Sequence, residues 1–151
     1  MPLAKNNPSM ALGGWSAGGI LAVEAIRQIN AQGLAQISHL VLLDSPNSIG
    51  LQNPPKRMYD PKTSEWLLQH FDTFIRVLDA YEPTLLDKAP VSLIINARDG
   101  MCKDPNGWTS IPRRQQLKVE VLDEVNHFTL KGRGPVMEKM GNILAKCFKY
   151  K

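Results

Sequence analysis

Three features of this 151-residue sequence predict an α/β fold with a mainly parallel sheet. Short apolar runs of strand length alternate with longer segments whose apolar residues recur at helical spacing. Two of those runs, Ile37 to Leu43 and Val91 to Ala97, are predominantly apolar, as expected of parallel strands buried on both faces. Glycine, proline and asparagine breaks separate the segments. A chain of this length is read as a single domain over residues 1–151, able to bury roughly two thirds of the surface its unfolded form exposes.

The elements follow in order. Met1 to Ser9 is polar with two prolines and reads as a lead-in. Met10-Ala11-Leu12 is a short apolar run that ends in Gly13-Gly14, a strand end. From Ala17 to Gln32 the residues Ile20, Leu21, Val23, Ile26 and Ile29 fall at helical spacing, and Gly33 supplies the stop. Ile37 to Leu43 is a buried strand. Asp44 to Lys62 holds four prolines among Ser, Asn and Gly, and reads as a long loop. Ser64 to Ala80 is a helix capped by Thr63 or Ser64, with Trp66, Leu67, Phe71, Phe74, Ile75 and Leu78 on one broad face. Val91 to Ala97 is a second buried strand, closed by the turn signal Asp99-Gly100. Pro105 to Arg114 is irregular, broken by Gly107 and Pro112. Leu117 to Leu122 is a strand with Val119 and Val121 at alternate positions. Pro135 starts a last amphipathic helix that runs to Lys146.

Composition excludes several classes. Eighteen Lys and Arg against fourteen Asp and Glu give a net charge of +4, but the basic residues are scattered instead of lining one face, so nucleic acid is not an expected partner. Cys102 and Cys147 form neither a CxxC pair nor a Cys/His ligand spacing, which argues against a disulfide scaffold and against a metal site. The first residues lack an apolar signal-peptide core, and no apolar run approaches the roughly 18 residues of a membrane span, so a cytoplasmic location is expected.

Gly14-Trp15-Ser16-Ala17-Gly18 is a G-x-S-x-G motif between a short strand and an amphipathic helix. A serine on such a tight turn is held in a strained backbone with its hydroxyl exposed, and small neighbours let adjacent chain pass close by. The helix N-terminus aims backbone N–H groups at the same place, which suits a developing oxyanion, with Ala17 as donor. The competing reading is a glycine-rich turn whose serine only caps the helix.

A serine nucleophile needs a base, and the base an orienting acid. His70 lies mid-helix and His39 within a strand, where a packed histidine is the simpler reading. His127, in Val125-Asn126-His127-Phe128, follows the last strand and precedes the last helix, the loop in which α/β-hydrolases carry their base. Two aspartates compete as the acid. Asp44 and Asp99 both end strands, where catalytic groups gather in parallel sheets, and position alone leaves both open.

Leu12-Gly13-Gly14-Trp15-Ser16-Ala17-Gly18-Gly19 resembles the serine elbow of the thioesterase domains that end fungal polyketide synthases, especially the non-reducing type. The likeness continues through Leu40 to Asn47, Ile49-Gly50-Leu51, Trp66 to Tyr81, Ala97 to Lys103, Pro105-Asn106-Gly107-Trp108 and Asn126-His127-Phe128. These blocks are collinear over nearly the whole chain. The resemblance implies an α/β-hydrolase-like sheet with Ser16 as nucleophile, Asp44 as acid in preference to Asp99, and His127 as base. It implies transfer of a polyketide chain from the phosphopantetheine arm of an acyl carrier domain to serine, then release by hydrolysis or Claisen-type cyclisation. No bound cofactor is implied, and residues of about 45–86 would form a lid.

Two departures stand beside this. The first strands that relatives place before the elbow are missing from this sequence, and the stretch around Lys103 and Asp104 is shortened, so the expected lid is reduced. The second oxyanion donor of such enzymes comes from an early strand's loop, and losing one donor costs on the order of a hundred- to a thousand-fold in rate. A catalytically impaired remnant or accessory binding module, and a carboxylesterase using the same residues, are therefore the competing functional readings.

Overall fold

Along Val91–Asp99 every side chain from Ser92 to Ala97 is buried, and odd and even positions enter different clusters. That pattern requires a central strand covered on both faces. The computed structural model describes residues 9–46, 64–81, 86, 88–100, 108, 111 and 117–149, the side chains of Phe71, Ile75 and Asp79 excepted. Within them the order is β1 (Ser9–Trp15), α1 (Ala17–Gln32), β2 (Gln36–Leu43), α2 (Glu65–Asp79), β3 (Val91–Asp99), β4 (Leu117–Asn126), a single 3-10 turn (Thr129–Lys131) and α3 (Pro135–Lys149). The strands form one sheet in the order β1-β2-β3-β4, and each neighbouring pair is parallel. The α/β class with a parallel sheet is thus what the chain adopts.

On one face Ile20, Val23 and Ile26 of α1 pack against Leu40 and Leu42 of β2 and Ile94 of β3, joined by Leu78 of α2, Leu86, Trp108 and Ile111. On the other, Leu93, Ile95 and Ala97 of β3 meet Leu122 and Val125 of β4, Leu130, and Met140 and Cys147 of α3. Full burial of each such aliphatic side chain contributes about 1.5–3 kcal/mol. The buried Cys147 is a free thiol.

Several expectations need correction. Trp66, read as part of the apolar face of α2, is 68% exposed, while among the described side chains of α2 Leu78 is the one buried in the core. Ser64 occupies the N-cap position of α2 but makes no side-chain cap bond; its carbonyl accepts from the amides of Leu67 and Leu68. The strand expected from Leu117 is present as β4, and its Val119 and Val121 are partly exposed because β4 is an outer strand among the described residues. β4 also runs past Leu122: Ala97 pairs with Leu122 and the next pair is Asp99 with Asn126, so β4 bulges over residues 123–125, with Glu124 at φ 62°. Residues 1–8 of the lead-in, residues 47–62 of the loop, Thr63, Cys102 and most of the irregular 105–114 stretch lie outside the described residues, and Ser9, read as the end of the lead-in, opens β1.

Tyr81, just past α2, ties that helix to α1. Its phenol O–H donates to Glu24 Oε2 at 2.7 Å, and Glu24 also accepts from Arg27 and Gln28. The Arg27 guanidinium chiefly, aided by Gln28 and Tyr81 and opposed by burial, holds the Glu24 carboxyl down at about 2. Burial first, then the bond to Glu24, pushes the Tyr81 phenol up to about 12. A carboxylate with a depressed native pKa stabilises the fold above its ordinary pKa and loses that contribution as pH falls toward the native value. Glu24→Gln is therefore expected to lower stability by on the order of 1 kcal/mol at pH 7, a value discounted for a solvent-accessible pair. Urea titrations at several pH values should show the gap to wild type closing between about pH 4.5 and pH 2.

Candidate active site

β1 ends at Trp15, and Ser16 follows with φ 55° and ψ −134°, a conformation that costs a non-glycine residue about 1–3 kcal/mol. The turn is clamped from β2. The Ser16 amide donates to the Leu43 carbonyl at 3.0 Å, and the Ser45 hydroxyl donates to the Ser16 carbonyl at 2.5 Å. Gly14 is required sterically, because a Cβ there would overlap the backbone of Gly18. Ser16 occupies the N-cap position of α1 yet makes no side-chain cap hydrogen bond, so the capping reading of this serine does not describe the structure. Ala17 opens α1, where the first amides have no intrahelical acceptor.

β2 delivers Asp44 as abruptly, at φ 41° and with no exposed surface. Its amide donates to the Ile95 carbonyl at 2.7 Å, and its Oδ1 accepts from the Ala97 amide at 3.1 Å. Gly100 lies against this carboxylate, and a Cβ on it would overlap both oxygens. Asp44 Oδ2 lies 2.6 Å from His127 Nδ1.

His127, 5% exposed, sits in a turn fixed by its neighbours. Asn126 Oδ1 accepts from the amides of Phe128 and Thr129, and Thr129 Oγ1 accepts from the Asn126 amide. The Trp15 indole stacks on the imidazole with centroids 4.6 Å apart and planes at 23°, and its Nε1–H donates to the His127 carbonyl at 3.1 Å. Lys131 places its ammonium 3.5 Å from the Trp15 ring centroid.

The structure therefore gathers Ser16, Asp44 and His127 at the C-terminal ends of the strands, with Ser16 bonded to the residues on either side of Asp44 and Asp44 bonded to His127. Asp99 is exposed at the end of β3, and the imidazole's carboxylate partner is Asp44. His39 faces α3, its ring edge-on to Phe148 at 4.8 Å, and His70 lies on the exposed side of α2. Among the described residues no group of three His, Cys, Asp or Glu is placed to hold a metal, and no described helix is long and apolar enough to cross a membrane.

Sequence reasoning did not single out Trp15, Gly100, Ser45, Asn126 or Lys131. Trp15 was the variable position of a motif and Gly100 half of a turn signal. Lys131 meets Trp15 across most of the chain, so no local spacing announces the pair.

A serine at a strained strand-to-helix turn, followed in chain order by an aspartate at a strand end and a histidine after the last strand, defines an α/β-hydrolase architecture on this parallel sheet. The chain belongs to the thioesterase-domain family, whose pattern residues 3–123 match. It is 48% identical to the non-reducing polyketide synthase phnA of Penicillium herquei over 91% of this chain and 8% of that protein. With polyketide synthase 2 of Metarhizium robertsii it shares 39% identity over 95% of this chain, again 8% of the relative. The chain thus spans about a twelfth of the length of these relatives. Solved structures share the fold: ClbQ of the colibactin NRPS/PKS pathway (TM-score 0.66, 15% identity, 95% of this chain and 70% of that one) and human thioesterase 2 (TM-score 0.63, 15% identity, 93% and 73%).

Two substitutions probe the strain and crowding here. Gly100→Ala is expected to displace the Asp44 carboxylate and lower stability by about 1–3 kcal/mol in denaturant titrations. Ser16→Gly relieves the positive φ and is expected to raise stability by about 1 kcal/mol.

Proposed function

We propose that this chain is a serine thioesterase that releases an acyl or polyketide chain from the phosphopantetheine arm of an acyl carrier domain. The observation that carries the reading is the 2.6 Å contact between the buried Asp44 carboxylate and His127 Nδ1, beside a strained serine. With Nδ1–H donating to Asp44, Nε2 is the imidazole's proton acceptor. In the proposed reaction Ser16 Oγ attacks the thioester carbonyl while His127 takes its proton. The Ala17 amide donates to the oxyanion. The C–S bond breaks, the pantetheine thiolate takes the proton from the imidazolium, and an acyl-serine remains. His127 then takes a proton from water, or from a carbon acid within the acyl chain, as that nucleophile attacks the ester carbonyl, and the imidazolium returns the proton to Ser16 Oγ as the acyl–oxygen bond breaks. The Asp44 carboxylate stabilises the transient imidazolium.

Support for the acyl class comes from the thioesterase family and from relatives that are polyketide synthases. The carrier domain as partner, and a lid over residues 45–86 built around the amphipathic and largely exposed α2, belong to the same proposal.

Wild type is expected to be labelled by a serine-directed fluorophosphonate and Ser16→Ala not at all, as read by intact-protein mass spectrometry. Equal labelling of the two would remove the nucleophile. Asp44→Asn is expected to lower kcat on a model acyl thioester by about 10⁴-fold, through the wrong imidazole tautomer. Side-by-side rates on matched thioester and oxygen ester separate this reading from a carboxylesterase. A folded but unlabelled wild type would instead favour an accessory binding module.

A further inference from the structure

We propose that Trp15 is the positioning residue for the base, an inference that rests on the reading of His127 given above. The bond from Nδ1 to Asp44 fixes one point of the imidazole but leaves the ring able to pivot about that axis. A second restraint must define the plane. Trp15 supplies it: the indole face lies on the imidazole at 4.6 Å and 23°, while Phe128 meets the imidazole edge-on at 5.2 Å and 82°. The indole also holds the chain that carries the ring, through the 3.1 Å bond from Nε1–H to the His127 carbonyl. Lys131, at the end of the 3-10 turn after the histidine, places its ammonium 3.5 Å from the indole centroid and ties the same loop to the same ring.

Chain position gives these contacts their consequence. Trp15 is the last residue of β1 and the residue before Ser16, so the backbone that fixes the nucleophile also fixes the plate against which the base rests. A side chain that only filled space would need neither the aligned N–H nor the stacked plane. The arrangement transmits the position of Ser16 to His127 through one residue, within the sub-ångström tolerance that proton transfer demands.

The test compares wild type, Trp15→Leu, Trp15→Phe and Lys131→Met as the 151-residue chain. Two readouts are taken: kcat and KM on a model acyl thioester, and the downfield NMR resonance of the His127 Nδ1 proton, which needs no turnover. Trp15→Leu is expected to lower kcat on the order of 100-fold with KM changed less than about threefold, and to broaden the resonance away by exchange. Trp15→Phe keeps a ring face but loses the N–H, and is expected to lose about tenfold in kcat while keeping the resonance at a shifted position. Lys131→Met is expected to lose about two- to fivefold. The proposal is overturned if Trp15→Leu keeps kcat within about threefold of wild type with the resonance in place. Should Trp15→Leu not fold, a Trp15→Phe variant matching wild type in both readouts overturns it. A wild type without turnover would defeat the reading of Ser16, while the resonance comparison would still decide whether Trp15 holds the imidazole.

Discussion

The Asp44 carboxylate is the group on which the rest of the site depends. A carboxylate with no solvent contact is tolerated only where its oxygens are hydrogen-bonded. Here the Ala97 amide takes one oxygen and His127 Nδ1 the other. Those donors come from β3 and from the loop after β4, so the buried charge is satisfied only if three strands are correctly aligned. Register and chemistry are thereby coupled. A slip of β3 against β2 would remove both the Ile95 carbonyl from the Asp44 amide and the Ala97 amide from the carboxylate.

The strand ends are built to deliver side chains abruptly. Ser16 and Asp44 both leave their strands with positive φ, and β4 bulges just before His127. These conformations cost energy that the doubly covered sheet offsets: Ile94 is buried against α1, and Leu93 and Ile95 against α3 and β4. The strained turns are also cross-braced. Ser45 donates to the Ser16 carbonyl while Trp108 donates from its indole to the Ser45 carbonyl, linking the serine turn to a segment far along the chain.

Much of the scaffold was legible because its signals are local. The period-3.6 pattern of α1, the apolar runs of β2 and β3 and the proline start of α3 reappear at nearly the expected boundaries. What failed was decided by surroundings. Trp66 has the residue type of a core face, but the side of α2 that carries it meets solvent. Ser64 takes the N-cap position expected of it, but without the side-chain bond that a serine there can make. The bulge in β4 needed Glu124 at positive φ, which glutamate does not advertise.

By itself the sequence determined the α/β order, the serine turn between a strand and a helix, and the histidine after the last strand, since each is written in adjacent residues. Strand-end position left Asp44 and Asp99 open, because both end strands and both precede turn-forming residues, and only the family resemblance preferred Asp44. The tertiary structure supplied the physical contact, with Asp44 meeting His127 while Asp99 faces water, and it alone showed that Trp15 and Lys131 close on the same loop. The physical reason is that strand pairing joins residues tens of positions apart, and which side chain a strand end presents inward depends on backbone dihedrals that no spacing in the chain records.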